Sequence, residues 1–225
     1  MKALELDFMG WASVSSFDDA PEDRKPHVYL NDAKSVISVG YRLNSAPIMH
    51  LPATRSAYMM EHDYANRHLN RASQKITRFF ENRGYQAIGF DCSAGFYHKI
   101  GRHPEKLQGD FSHKHAAVIS GLGKFGVNNL VIHKRWGATL RLTTVITNAE
   151  LNNDRLLEQN ACSTHECLAC VKICPVQALD GWEASYDPER GWTIDKRKCY
   201  EYIFKNLEGQ RCGLCIKACL TEIGK

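Results

Sequence analysis

Eight of the nine cysteines in this 225-residue chain fall between Cys162 and Cys219, in two similar sets. The first, CSTHECLACVKICPVQAL, places Cys162, Cys167, Cys170 and Cys174 at spacings of x4, x2 and x3, with Pro175 following. The second opens at Cys199 and closes with CGLCIKAC, which places Cys212, Cys215 and Cys219 at x2 and x3. Three thiolates at x2 and x3 can wrap one cubane, a remote fourth completes the shell, and the bacterial two-cluster pattern exchanges that fourth ligand between sites. The spacing therefore assigns Cys162, Cys167, Cys170 and Cys219 to one 4Fe–4S cluster, and Cys199, Cys212, Cys215 and Cys174 to the other. Zinc is the first rival, but it favours separated C-x2-C pairs with four ligands each, and the x3 arms suit a shared-ligand ferredoxin better. Disulfides are the second, and the odd cysteine count argues against a stapled secreted fold. Cys162 lies two residues beyond the usual x2 position, which Thr164 occupies, and His165 is an alternative ligand beside it.

The length allows one full-sized core with a small appended module. A net charge of +4 admits an anionic substrate or an acidic redox partner, but falls short of a nucleic-acid footprint. The opening MKALELDFMGWASV reads as no export signal, and no stretch approaches a membrane span of roughly 18 apolar residues. Oxygen-sensitive clusters then lead to the expectation of a reducing cytoplasm.

Ahead of the cysteines the chain alternates strands and helices. MGWASV (9–14) and SVISVGYRL (35–43) read as strands, and APIMHLP (46–52) as irregular. Tyr58, His62, Ala65, Leu69, Ala72, Ile76 and Phe79 step by threes and fours, which predicts a long amphipathic helix with a stop at Gly84. Its other side, including Glu61, Arg67, Lys75 and Arg78, reads as solvated. YQAIGFDC (85–92) reads as a strand, and a histidine-bearing loop (94–111) follows. Then come a short helix from His113 to Ser120, the glycine-rich turn GLGKFG, a strand in NNLVI and a clearer one in GATLRLTTVITNAEL (137–151). Composition changes near Asn152, so the expected division is a core at 1–152 and an iron–sulfur module at 153–225. Within the module, Pro175 is expected to open a short helix and KRKCYEYIFKNL (196–207) to form another.

With SHKHAAVISGLGKFGVNNLVI, the strand ending VITNAEL, the first cysteine set, and the isolated cysteine of KRKCYEYI before C-x2-C-x3-C all in view, the chain resembles the epoxyqueuosine reductase and reductive dehalogenase group of iron–sulfur proteins. The resemblance implies an α+β fold: a nitroreductase-like core carrying a C-terminal two-cluster module similar to bacterial ferredoxins. It further implies an oxidoreductase in which two 4Fe–4S clusters pass electrons to a cobalamin held base-off on the core. The glycine turn and its neighbours Lys114, His115, Gly121, Leu122, Gly123, Gly126 and Asn128 are the candidate cofactor-binding residues. Where the group's turn reads GLGWIGKN, Lys124 stands at the tryptophan position and Val127 at the lysine position. The acidic proton donor of epoxyqueuosine reductases corresponds to His113, whose imidazole can donate near neutral pH if its pKa is the ordinary 6.5 or so. Tyr97, with His98 beside it, is a candidate helper, Asp91 a weaker one, and Cys92 reads as a buried small residue. A solvated helix cap is the plain alternative for His113, Lys114 and His115.

The expected partners are an electron donor of ferredoxin or flavodoxin type and a small-molecule substrate. A chain end six residues after Cys219 argues against a transfer-RNA substrate. Two alternatives stay open. One is an electron-transfer protein that reduces a partner, such as a corrinoid protein, and has no substrate of its own. The other is a reductase with flavin mononucleotide (FMN) on its core.

Overall fold

The computed structural model describes residues 4–93, 107–152, 162–163 and 166–223. Among these the elements are strands β1 (Phe8–Ser13) and β2 (Ser35–Arg42), helices α1 (Ser45–Met49) and α2 (Ser56–Glu81), strand β3 (Ala87–Gly89), helix α3 (His113–Ile119), strands β4 (Lys124–Phe125), β5 (Val131–Ile132) and β6 (Leu140–Thr147), and helices α4 (Ala169–Lys172), α5 (Lys196–Glu201) and α6 (Leu214–Ile223). The fold is mixed α/β. No helix among the described residues is long and apolar enough to cross a membrane.

Chain contacts group these elements into two compact units. One comprises Met1–Tyr41, Asn66–Leu122 and Arg141–Leu157; the other comprises Arg42–Ala65, Gly123–Leu140 and Glu158–Lys225. The second unit thus holds more than the cysteine-rich segment, because it also takes α1, the first turns of α2 and the β4–β5 hairpin.

The first unit is organised by a four-stranded sheet in the order β1-β2-β6-β3. β1 pairs antiparallel with β2, Phe8 opposite Gly40 and Ser13 opposite Ser35, and β3 pairs antiparallel with β6, Ala87 opposite Thr147. Because side chains alternate along a strand, Ile37, Val39 and Val145 join Leu69, Ala72, Ile76 and Phe80 of α2 in one core. Val36 and Ile146, one residue out of phase, join Ala12, Phe17, Phe111 and Ala116 of α3 in the other. β2 and β6 are covered on both faces, which is why the alternation of β6 is all but lost in its burial. Each fully buried aliphatic side chain here contributes about 1.5–3 kcal/mol.

α2 follows the expected stripe to Ile76 and then departs from it. Phe80 is buried and Phe79 is 49% exposed, carrying the Arg83 guanidinium 3.6 Å over its ring. The helix ends as its sequence suggests: Gly84 takes φ +81°, and Tyr85 N–H donates back to Phe80 O at 3.1 Å, satisfying a terminal carbonyl. A second departure is Glu61, expected in solvent but buried at 8% exposure. Its carboxylate accepts from Asn44 N at 2.8 Å and Asn44 Nδ2 at 3.0 Å, so an adjacent loop supplies the partners that a buried charge requires.

In the second unit β4 and β5 form a short hairpin, Lys124 opposite Ile132. NNLVI yields only the two-residue β5, because Asn128 and Asn129 make the turn, Asn129 at φ +55°. The expected irregular segment at 46–52 takes in all but the first residue of α1. Pro175 starts no helix: the helical turn lies earlier, over Cys170 in α4, and the residues from Pro175 to Asp180 are turns. α5 holds for six residues and continues as a π-helical turn, Tyr202–Asn206. α6, not expected from the sequence, carries two of the cysteines.

Candidate iron–sulfur centre

The cysteine segment folds as short turns and helices that bring its thiols together. Leu168 adopts the left-handed region at φ +47°, turning the chain so that Cys167 precedes α4 and Cys170 lies within it. Cys170 and Cys174 are four residues apart around this turn, and Cys215 and Cys219 are four apart on α6. The second pair shares one face of its helix, whereas Cys174 lies just beyond the end of α4. α4 packs on α6, and α1 packs on α6 as well.

Cys162, Cys167, Cys170 and Cys219 line one cavity with about 330 Å³ of empty space, partly open to solvent. Val127, Asn128, Ile132 and Leu168 complete its wall. Leu179, Trp182, Tyr186 and Trp192 pack around the same place. Three hydrogen bonds order this wall: Tyr186 O–H donates to Phe125 O at 2.6 Å, Trp192 Nε1–H to Val127 O at 2.8 Å, and Trp192 N–H to Asn129 Oδ1 at 3.3 Å.

The other four thiols form a second group. Cys199 is influenced by Cys212 and Cys174, and Cys215 by Cys212, Cys199, Cys170 and Cys174. Ala178 N–H donates to Cys174 Sγ at 3.3 Å.

Burial, reinforced by neighbouring thiols that would repel a second thiolate, pushes Cys170 up to about 12 and Cys199 up to about 11. Burial likewise pushes Cys219 up to about 11, opposed by a main-chain N–H at Ala138, and raises Cys215 further. Crowded, desolvated thiols are poor nucleophiles and favourable metal ligands, because bound iron supplies the positive charge that makes several thiolates tolerable together. Among the described residues no three His, Cys, Asp or Glu side chains converge on a single-ion position. The thiols ring a volume, and this donor set, four sulfurs to each group, fits an iron–sulfur cluster.

The candidate cofactor residues divide between the units. Lys114, His115, Gly121 and Leu122 belong to the first, Gly123, Gly126 and Asn128 to the second. Gly123 has a packing role in the fold. A Cβ at Gly123 would come 2.5 Å from Ile132 O, so the close approach it permits is that of β5, and Asn128 faces the thiol cavity with its Oδ1 accepting from Leu130 N. Lys124 is buried and ion-paired with Glu189. His115 stays at the start of α3, its Nδ1 2.6 Å from the Ser112 hydroxyl.

His113 lies half-buried in the first unit. Its Nε2 is 3.1 Å from Asp91 O and its Nδ1 2.8 Å from Thr144 Oγ1. A carbonyl only accepts, so Nε2 carries the hydrogen and Nδ1 accepts from the threonine hydroxyl. Loss of hydration, with the nearby Arg141 charge adding to it, lowers its pKa to about 4, against a main-chain hydrogen bond to Asp91 that raises it. The ring is therefore neutral at pH 7, with both nitrogens engaged. That is not the protonation state from which an acid role was expected. Around it Arg141 donates to Asn66 Oδ1 and Ser93 Oγ, each at 2.7 Å. The Cys92 thiol donates toward Asn66 Oδ1 at 3.3 Å, half-buried as a small core residue. Tyr97 and His98, like Thr164 and His165, lie outside the described residues.

Comparison with known proteins places these features. Residues 161–223 match the 4Fe-4S dicluster domain family. Over 196 residues the chain is 26% identical to an epoxyqueuosine reductase of Lactococcus garvieae, covering 79% of this chain and 48% of that protein. The structure is similar to that of an epoxyqueuosine reductase solved with an epoxyqueuosine-modified tRNA-Tyr stem loop, with TM-score 0.62, 18% identity, and coverage of 100% of this chain and 64% of that one. It is similar also to a reductive dehalogenase whose structure suggests a mechanism for B12-dependent dehalogenation, with TM-score 0.72, 17% identity, and coverage of 97% and 31%. The chain spans about half the length of the curated relative it matches. The relatives are oxidoreductases, and the fold they share is the one described above.

Proposed function

We propose that this chain is an iron–sulfur oxidoreductase in which two 4Fe–4S clusters relay electrons to an acceptor on a nitroreductase-like core. The observation that carries the reading is the gathering of eight thiols into two groups of four. Cys162, Cys167, Cys170 and Cys219 would hold one cluster, and Cys174, Cys199, Cys212 and Cys215 the other. The clusters supply low-potential, one-electron chemistry when bound. The chain's own residues keep the thiols desolvated, exclude water with Trp182 and Trp192, and donate main-chain N–H groups to sulfur. Residues 153–225 serve as the relay module and 1–152 as the site of reduction. The reading places the protein in the cytoplasm with a donor of ferredoxin or flavodoxin type.

The acceptor assigned to the core is a cobalamin, supported by similarity to a B12-dependent dehalogenase, with FMN as the lesser alternative. At Gly123 the space that a cradle would use is taken by Ile132, which argues against that glycine as a cofactor contact. His113 holds both ring nitrogens in hydrogen bonds, to Asp91 O and Thr144 Oγ1, which argues against it as the proton donor. Those same observations favour a second reading: the chain is an electron carrier that reduces a separate protein. The tRNA stem loop bound by a similar reductase makes nucleic acid an arm of the test.

Anaerobic reconstitution distinguishes these readings. The relay requires roughly eight irons per chain and cubane paramagnetic signals on reduction. Retention of added cobalamin or FMN through desalting supports the reductase, and eight irons with neither retained supports the carrier. Zinc in the thiol groups, or no cubane signal, overturns both. A modified stem loop that comigrates with the protein would add an RNA substrate.

A further inference from the structure

The two thiol groups sit in different electrostatic surroundings. Among the described residues, the wall of the cavity lined by Cys162, Cys167, Cys170 and Cys219 carries no Lys, Arg, Asp or Glu side chain. Val127, Ile132 and Leu168 make most of that wall apolar, with Asn128 as its uncharged polar member. In the other group two guanidinium groups act. The Arg55 guanidinium lies against the main chain of Cys212, and Arg211 is the residue directly before that cysteine.

Arg55 is remote in sequence and fixed in place. It directly precedes α2, 157 positions before Cys212, and its Nη1 donates to Arg211 O at 2.9 Å and Cys212 O at 2.7 Å. The next residue explains why the loop lies so close. Gly213 has φ +70°, and a Cβ there would stand 2.6 Å from Leu51 Cδ1 and 2.8 Å from Tyr58 Cε1. Only a glycine lets the cysteine loop press against the segment that carries Arg55. Half-burial of the Arg55 guanidinium weakens the screening of its charge by solvent. A fixed positive charge beside a cluster favours the reduced, more negative state, since net charge and surroundings tune cluster potentials over a wide range.

We propose that Arg55 is a potential-setting residue: its charge holds the reduction potential of the cluster on Cys174, Cys199, Cys212 and Cys215 above that of the cluster on Cys162, Cys167, Cys170 and Cys219. The proposal rests on the two-cluster reading. It makes the arginine-flanked cluster the one that holds the first electron.

The test is a potentiometric titration of the anaerobically reconstituted full chain, followed by paramagnetic resonance, with iron measured on the same samples. The wild type should show two separated potentials. Arg55→Gln and Arg55→Met should lower the upper one by at least about tenfold in its reduction equilibrium, about 59 mV for one electron, and leave the lower one in place. Arg55→Met keeps much of the packing of the aliphatic stem, so it carries the test if Arg55→Gln loses iron. Arg55→Lys keeps the charge but not the fork, and should retain most of the upper potential; a merely structural tie would lose it as fully as Arg55→Gln does. Unchanged potentials in iron-replete Arg55→Gln or Arg55→Met, or equal shifts of both clusters, overturn the proposal. Wild-type protein with no cubane signal removes the two-cluster reading beneath it, and iron analysis tells that failure apart.

Discussion

Trp192 donates its indole N–H to the carbonyl of Val127 at 2.8 Å, and Val127 walls the cavity lined by Cys162, Cys167, Cys170 and Cys219. Trp192→Phe keeps most of the ring packing but leaves that carbonyl without this donor, at a cost of about 1–3 kcal/mol. Iron held by this group should leave faster under chelator than in the wild type, while iron on the second group leaves at the unchanged rate. Equal release from both groups would show that Trp192 does not support this wall.

Gly89 of β3 faces α2, where a Cβ would meet Ser73 Oγ at 2.3 Å and Thr77 Oγ1 at 2.9 Å. Ser73 Oγ is itself buried without a hydrogen-bond partner among the described residues. Ser73→Ala should therefore be neutral or stabilising by up to about 1 kcal/mol. Gly89→Ala should destabilise by about 1–3 kcal/mol through overpacking, and by less in the Ser73→Ala background. Denaturant midpoints of the two single variants and the double variant close this cycle; strict additivity would mean that the two residues do not meet as described.

His113 supplies a pH signature. Its pKa is lowered to about 4 from an ordinary value near 6.5, so the unfolded chain binds a proton that the folded chain does not between those limits. Stability from this group is full above pH 6.5 and falls as pH drops toward 4, by about 3 kcal/mol in all. Nuclear magnetic resonance of the imidazoles should show His113 uncharged down to about pH 5. A ring that titrates near 6.5 would mean that burial does not govern it, and would return His113 to consideration as an acid.

The buried ammonium of Lys124 has the half-exposed carboxylate of Glu189 as its ion-pair partner. Glu189→Gln should cost about 1–2 kcal/mol, less than a fully buried pair because the carboxylate is partly hydrated. In a Lys124→Met background the same substitution should cost nearly nothing. Thermal unfolding of all four forms measures the coupling, and a Glu189→Gln penalty that persists without the lysine would assign it to some other contact.

What could be read from the sequence was whatever repeats locally. The x2 and x3 spacings of the cysteines gave a ligand grouping, and the stripe from Tyr58 to Ile76 gave α2 and its buried face. Local period says nothing about a partner far along the chain, so Glu61 looked solvated until Asn44 came to it, and Arg55 gave no sign of its tie to Cys212. The expectation for Phe79 failed for a related reason: Phe80 also continues a helical stripe, and the Arg83 guanidinium covers Phe79 only in the final turn. α6 had no expectation attached to it, although Leu214 to Ile223 contains no helix breaker.

The tie of Gly213 to Leu51 and Tyr58, with Arg55 alongside, limits how this chain can be engineered. A stand-alone ferredoxin cut at residue 153 would lose the platform on which its Cys212 loop rests and the hairpin wall that Val127 and Ile132 lend to its first thiol group. A graft of the cysteine-rich tail onto another enzyme needs those two upstream pieces to travel with it.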